Sequence, residues 1–103
     1  MIANTPKPPY YAVIFTSIRS EGDNGYNTMA DEMMALAAQQ DGFLGVESAR
    51  NEVGITVSYW QSLDSIKNWK ANSRHLLAQK YGREKWYANY KVRICIIEYD
   101  YEL

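Results

Sequence analysis

The residues best suited to bind a ligand or take part in catalysis are concentrated in one stretch of the chain, residues 54–90. This stretch holds all three tryptophans and the only histidine. Eight of the eleven Lys and Arg residues lie between Lys67 and Arg93. Such a run of cations is typical of a solvated helix face, and the alternative is that one or two of them hold an anionic or phenolate-like ligand. We therefore expect any ligand site to involve this stretch.

Size and composition narrow the possible classes of protein. The 103 residues predict one domain, residues 10–103, preceded by an extended arm, residues 1–9, that contains all three prolines. A net charge of −1 gives no indication of nucleic-acid binding. One cysteine, one histidine and no Gly-rich phosphate loop predict no disulfide framework, no metal site and no cofactor. The absence of a signal peptide or a membrane-spanning apolar run predicts a cytoplasmic protein with no membrane partner.

Hydrophobic periodicity predicts four strands and two helical regions. The first helix is expected from Tyr26 to Gln40, with Gly42 in the left-handed conformation that follows a helix. A short connection, residues 51–53, joins the second and third strands as a hairpin. Turn signals lie at 21–25 and 82–86. The predicted strands are 10–18, 43–50, 54–60 and 87–99.

The second helical region begins after Ser62, which is a good N-cap, and Asp64 lies in the first turn, where the helix dipole favours negative charge. Asn72 and Ser73 are poor residues for a helix interior but good caps. They predict a break in the helix, with His75 on a second helical piece.

The predicted order is β-α-β-β-α-β, the ferredoxin-like plan of an α+β protein with an antiparallel four-stranded sheet. Helices cover one face of such a sheet. The first and last strands are apolar on both faces, so the other face is too apolar to be left to water. The simplest solution is a homodimer that packs sheet on sheet about a two-fold axis.

Several motifs stand in a recognisable order between Tyr11 and Glu98. Together they resemble the antibiotic biosynthesis monooxygenase family, of the dimeric α+β barrel superfamily. The resemblance implies a ferredoxin-like protomer, a homodimer whose sheets form a barrel, and a cavity between each sheet and its helices. The motifs are Gly42-Phe43-Leu44-Gly45 leading into the second strand, Ser58-Tyr59-Trp60, Trp69, and His75 with Ala78-Gln79.

The resemblance implies more than one possible activity. The family includes cofactor-independent oxygenases of polycyclic phenols, quinol oxygenases and haem-degrading enzymes. Trp69 falls where the haem-degrading branch has its pocket tryptophan. The haem-ligating histidine, however, would fall at about Gln79, a poor axial ligand, and the first-strand asparagine at about Phe15 or Thr16. His75 could replace that ligand only if the helix break re-aims it.

The phenol or quinol oxygenase branch needs only a bound aromatic substrate, O2, proton removal and the exclusion of water. His75 is the first candidate for the catalytic base because its unperturbed pKa is near neutrality. The candidate substrate-binding residues offer ring faces, phenol donors or cations. They are Trp69, Trp60, Tyr26, Tyr87, Arg83 and Arg93.

Each candidate residue also has a structural interpretation. His75 can be a capping or packing residue, Trp60 a core residue, and Arg83 a contact to the carbonyls at a helix end. The sequence thus predicts a cofactor-independent monooxygenase acting on a small phenol or quinol. The alternatives are a non-catalytic ligand-binding or dimerisation module on the same fold and, third, haem binding or degradation.

Overall fold

The strands and helices follow one another in the predicted β-α-β-β-α-β order, which confirms the α+β ferredoxin-like fold. No helix among the described residues is long and apolar enough to cross a membrane. The computed structural model describes the backbone of residues 1–19, 26–80 and 87–103 and the side chains of residues 1–18, 32–76 and 90–103.

The element boundaries agree closely with the prediction. The second and third strands have the predicted limits, whereas the first helix ends two residues early and the last strand stops at Ile97. The predicted turns at 21–25 and 82–86 lie outside the described residues. The elements are β1 (Tyr10–Arg19), α1 (Tyr26–Ala38), β2 (Phe43–Arg50), β3 (Gly54–Trp60), α2 (Leu63–Lys80) and β4 (Tyr87–Ile97).

The sheet is antiparallel throughout, with the strand order β2-β3-β1-β4. Tyr11 of β1 pairs with Trp60 of β3 on one side and with Ile96 of β4 on the other. Because successive side chains alternate between faces, these pairs assign every strand residue to one face. The ring of Trp60 contacts Trp69 of α2, so we call the Trp60 side the helix face. The other side, which carries Ala12 of β1, is the open face.

A small core on the helix face joins the sheet to both helices. Its buried members are Val13, Ala37, Trp60 and Ile66. They come from β1, α1, β3 and α2, so this cluster fixes both helices against the central strands. Tyr11, Phe43 and Trp69 are partly buried and pack against it.

Local signals at the start of α2 and the end of α1 act as predicted. The backbone N–H of Ser65 donates to Oγ of Ser62 at 3.1 Å, so Ser62 is the N-cap, and Asp64 lies in the first turn. Gly42 has a φ of +86°, in the left-handed region. A Cβ at Gly42 would lie 2.1 Å from Oγ of Ser65, so glycine is required there for space as well as for backbone conformation.

The predicted break in the second helical region is wrong, because α2 is one continuous helix. The hydroxyl of Ser73 donates to the carbonyl of Lys70 at 2.9 Å, and the side-chain amide of Asn72 donates to Oε1 of Gln40 at 2.9 Å. Each side chain therefore finds a partner that leaves the helical backbone bonds in place. The local competition that normally makes Asn and Ser helix-breaking residues does not arise.

The arm, residues 1–9, contains no helix or strand and is tied to the open face. The backbone N–H of Ala3 donates to Oε2 of Glu47 at 2.8 Å, and the hydroxyl of Thr5 donates to that of Tyr10 at 2.9 Å. The Tyr10 hydroxyl in turn donates to Oδ2 of Asp100 at 2.5 Å. The arm and the C-terminal residues therefore meet at Tyr10, which is buried.

Candidate functional site

Part of the helix face is left uncovered along β4. Cross-strand pairing with β1 places the side chains of β4 residues 90, 92, 94 and 96 on this face. All four side chains are apolar or aromatic, yet they are 44–61% exposed. The ring of Phe15 on β1 stacks on that of Tyr90, with centroids 5.5 Å apart and planes at 22°. We call this strip the β4 surface; it consists of Phe15, Tyr90, Val92, Ile94 and Ile96.

Trp69 lies over the core, next to Trp60. It is half-buried on α2, and its ring packs on that of Trp60. Trp60 and Ile96 flank Tyr11 on opposite sides, so two strand spacings, roughly 10 Å, separate Trp60 from the β4 surface. The Nε1 atom of Trp69 is buried and finds no acceptor among the described residues. An unsatisfied buried donor costs about 1–3 kcal/mol, and an acceptor that reached this N–H would remove that cost.

Trp60 is placed entirely inside the core, with 0% of its surface exposed. Its Nε1–H donates to Oγ of Ser58 at 2.9 Å. Its ring meets Phe43 edge-on, with centroids 5.4 Å apart, and Trp69 at the same centroid distance. Trp60 therefore has no ring face to offer a ligand in this arrangement. Its role is to pack against the ring of Trp69.

The structure does not bring His75 and Trp69 together. His75 is exposed on the uninterrupted helix α2. Six residues at about 100° each separate the two side chains by roughly 120° around the helix axis. The expectation that His75 shares a cavity with Trp69 depended on the helix break, and that break is absent.

The remaining predicted residues are spread over different parts of the molecule. Arg93 pairs with Ile14, so it projects from the open face, where it is exposed. Tyr26 and Tyr87 begin α1 and β4, but their side chains lie outside the described residues, and so does all of Arg83. Of the predicted site residues, the structure therefore brings together Trp60 and Trp69.

Sequence reasoning missed a cation on the helix face, Arg50 at the end of β2. Its Nη2 donates to Oγ of Ser17 on β1 at 2.5 Å, crossing the intervening strand at Gly54. A Cβ at Gly54 would lie 2.1 Å from Nη2 of Arg50, so the guanidinium passes directly over this glycine. The predicted β2–β3 hairpin was enough to pair Arg50 with Gly54 from the sequence. No sequence signal connects either residue with Ser17.

A concave feature between the arm and β2 is less suited to chemistry. It is lined by residues 1–4, Phe43 and residues 45–48, including Glu47. Hydrogen bonds from the hydroxyl of Tyr59 and the backbone of Ala3 hold the pKa of Glu47 below its ordinary value. Burial and the bond to Glu47 raise the pKa of Tyr59 to about 12. The carboxylate is thus ionised and already engaged in tying the arm to the sheet.

Comparisons with known proteins agree with this architecture. The protein named "Uncharacterized protein YqjZ" of Bacillus subtilis (strain 168) is 50% identical over 99 residues, which cover 94% of this chain and 87% of the relative. SnoaB, a cofactor-independent oxygenase from Streptomyces nogalater, has a TM-score of 0.66 at 13% identity over 93% of this chain and 98% of its own.

The haem degrader MhuD from Mycobacterium tuberculosis, solved with two haems in its active site, has a TM-score of 0.68 at 15% identity over 89% of this chain and 99% of its own. At such identities the two solved structures show a shared fold. The family model described as antibiotic biosynthesis monooxygenase matches residues 9–81, which is more than half of the chain. The chain therefore belongs to the antibiotic biosynthesis monooxygenase family.

Proposed function

We propose that this protein is a cofactor-independent monooxygenase that oxidises a phenol or quinol held on the helix face between Trp69 and the β4 surface. The observation that carries the proposal is the buried Nε1–H of Trp69, which has no acceptor among the described residues. A phenolic oxygen would accept this hydrogen bond while the aromatic ring covers the half-exposed apolar side chains of β4. The family and the oxygenase SnoaB support the same chemistry.

The reaction requires no external reductant. A phenol with a free para carbon reacts with O2 to give a para-quinone and water, so one oxygen atom enters the ring and the other leaves as water. The substrate supplies all four electrons. The protein binds the ring and donates the Trp69 hydrogen bond to the oxygen. That bond stabilises the phenolate, the electron-rich form that reacts with O2, and so lowers the pKa of the bound phenol.

We also propose that two protomers pack through their open faces. Ile18 and Ile55 on this face are 47% and 46% exposed, and the isoleucines at 14 and 97 are half-buried. An obligate interface of this kind buries upwards of about 2,000 Å² in total. The helix face points away from this interface, so each protomer keeps its own site.

Oxygen uptake by the purified protein, without added metal, flavin or haem, tests the enzymatic function. A panel of monocyclic and fused-ring phenols and quinols is offered, and quinone formation is followed by absorbance. We expect oxygen uptake above the uncatalysed rate for at least one compound, with quinone and consumed O2 in equal amounts. Binding of these compounds without any increase in oxygen uptake would contradict the enzymatic function.

That outcome would support the second candidate, a non-catalytic binding module. The position of His75 favours this candidate, because the side chain expected to act as the base is exposed on a different side of α2 from Trp69. The two candidates share the same ligand site and differ only in whether bound phenol is oxidised.

A further inference from the structure

The C-terminal segment, residues 98–103, holds two aromatic rings out in solvent. Tyr99 and Tyr101 are 78% and 80% exposed, and their ring centroids lie 6.0 Å apart, so both rings project from the same side of the segment. Asp100, between them, accepts a hydrogen bond from the hydroxyl of Tyr10 and so anchors the segment at the Tyr10 end of the open face. Exposed aromatic rings on an anchored segment are typical of a surface that another protein covers.

The same segment is acidic. It contains Glu98, Asp100 and Glu102, all of them exposed, and it contains no lysine or arginine. The Tyr10 end of the open face therefore carries both exposed aromatic surface and negative charge.

The opposite end of the open face carries side chains that complement this segment. Thr16 of β1 pairs with Ile55 on one side and with Lys91 on the other, and Arg93 lies two residues further along β4. Ile18 and Ile55 are 47% and 46% exposed, and both cations are exposed as well. We call this part of the open face the basic end; it consists of Ile18, Ile55, Lys91 and Arg93.

The segment and the basic end are too far apart to meet within one chain. Thr16 lies six residues along β1 from Tyr10, a distance of about 20 Å. Tyr99 and Tyr101 are direct neighbours of the anchored Asp100, so their rings cannot cover the isoleucines of their own chain.

The direction of the two-fold axis determines which ends of two open faces meet. When the axis runs along the strands, each end packs on its own copy and the two acidic segments oppose each other. When the axis runs across the strands, the segment of each protomer lies over the basic end of its partner, at two equivalent contacts. Opposite charges and apolar side chains then meet at both contacts, which favours this second arrangement.

We propose that the C-terminal segment of each protomer packs on the basic end of its partner's open face. Tyr99 and Tyr101 cover the two exposed isoleucines there, and the carboxylates of Glu98 and Glu102 lie close to the two cations. The inference rests on the open-face dimer of the proposed function. It adds the orientation of the two protomers and the segment that joins them.

Charge reversal, with the dimer dissociation constant measured by sedimentation, tests the proposal. The segment variant carries Glu98→Lys and Glu102→Lys, and the face variant carries Lys91→Glu and Arg93→Glu. Each should dissociate about 10- to 100-fold more readily than the native protein, because like charges then meet at both contacts. All four substitutions in one chain should restore the native affinity. An equimolar mixture of the two variants should form heterodimers of native affinity, because every contact again joins opposite charges.

Controls separate this contact from general effects of charge and folding. Lys67→Glu with Lys70→Glu, exposed on α2, makes the same change of charge as the face variant and should leave the affinity unchanged. Tyr99→Ala with Tyr101→Ala should weaken the dimer about 10- to 100-fold without changing the charge, and thermal melts identify variants that are still folded. A native dimer that none of the segment and face substitutions weakens would overturn this inference alone. A monomeric native protein would overturn the open-face dimer together with it.

Discussion

The indole rings of Trp60 and Trp69 lie with their centroids 5.4 Å apart and their planes at 35°. Their N–H groups differ. That of Trp60 donates to Ser58, whereas that of Trp69 is buried and finds no acceptor in the part of the chain that the structure describes. One tryptophan thus has all of its interactions inside the core, and the N–H of the other is the donor that we propose for a bound phenol.

Trp69→Phe tests the role of this donor. Phenylalanine keeps a ring against Trp60 and removes the N–H, so we expect oxygen uptake with a phenol substrate to fall by about 10- to 100-fold. The fold should remain intact. The control is Trp60→Phe. We expect the cavity that it leaves to lower the free energy of unfolding by about 1–3 kcal/mol. Its rate of oxygen uptake should fall less than that of Trp69→Phe. Equal losses of rate in the two folded variants would contradict the role of Trp69.

His75→Ala distinguishes a surface residue from a catalytic base. Because His75 is exposed on a continuous helix, we expect the free energy of unfolding to change by no more than about 0.5 kcal/mol. We also expect nothing near the loss of about 10²–10⁴-fold in rate that removal of a general base gives. A loss of that size would restore the catalytic assignment. A haemin Soret shift that disappears in this variant would restore the haem interpretation.

Two isoleucines of similar exposure test the dimer. Ile55 on the open face is 46% exposed and Ile94 on the β4 surface is 49% exposed. Ile55→Glu should produce a monomer in sedimentation velocity, because a charge cannot be buried between two packed sheets. Ile94→Glu should remain a dimer and lose phenol binding. A native protein that sediments as a monomer at micromolar concentration would rule out the proposed interface.

Gly42→Ala tests the link between α1 and β2. The left-handed φ of +86° and the distance of 2.1 Å from the added Cβ to Oγ of Ser65 both oppose alanine. We expect a loss of about 1–3 kcal/mol in urea unfolding. Adding Ser65→Ala should recover part of that loss by removing the contact with Oγ, while the unfavourable φ and a Cβ–Cβ distance of 2.8 Å remain. Full recovery would show that neither the backbone conformation nor the remaining Cβ–Cβ contact contributes much.

The Glu47–Tyr59 hydrogen bond predicts how stability depends on pH. Because the pKa of Glu47 is lowered in the folded protein, its contribution is present above its ordinary value of 4.5 and is lost as the pH falls below that value. The pKa of Tyr59 is raised from 10.0 to about 12, so its contribution is present below pH 10 and is lost between these values. Glu47→Gln should flatten the acid side of a melting-temperature profile. An unchanged profile would contradict the assignment.

The sequence alone was sufficient wherever a local interaction determines the backbone. Ser62 caps α2 through a bond to a residue three positions away, and Gly42 takes a conformation that other residues avoid. The alternation of residues 43–60 and their short connection likewise determine the β2–β3 hairpin. These features depend on neighbours in the chain, so their physics is visible in the order of residues.

Tertiary structure decided the points at which distant residues meet. Asn72 and Ser73 remain inside α2 partly because Gln40, beyond the end of α1, accepts a hydrogen bond from Asn72. Arg50 reaches Ser17, 33 positions away in the chain, only because the pairing of β1, β3 and β2 brings them to the two sides of Gly54. The side of α2 from which His75 projects also depends on the helix being continuous. Sequence periodicity assigns a residue to a face of its own element, but contacts between elements depend on strand register and helix continuity, which the packing of the whole domain determines.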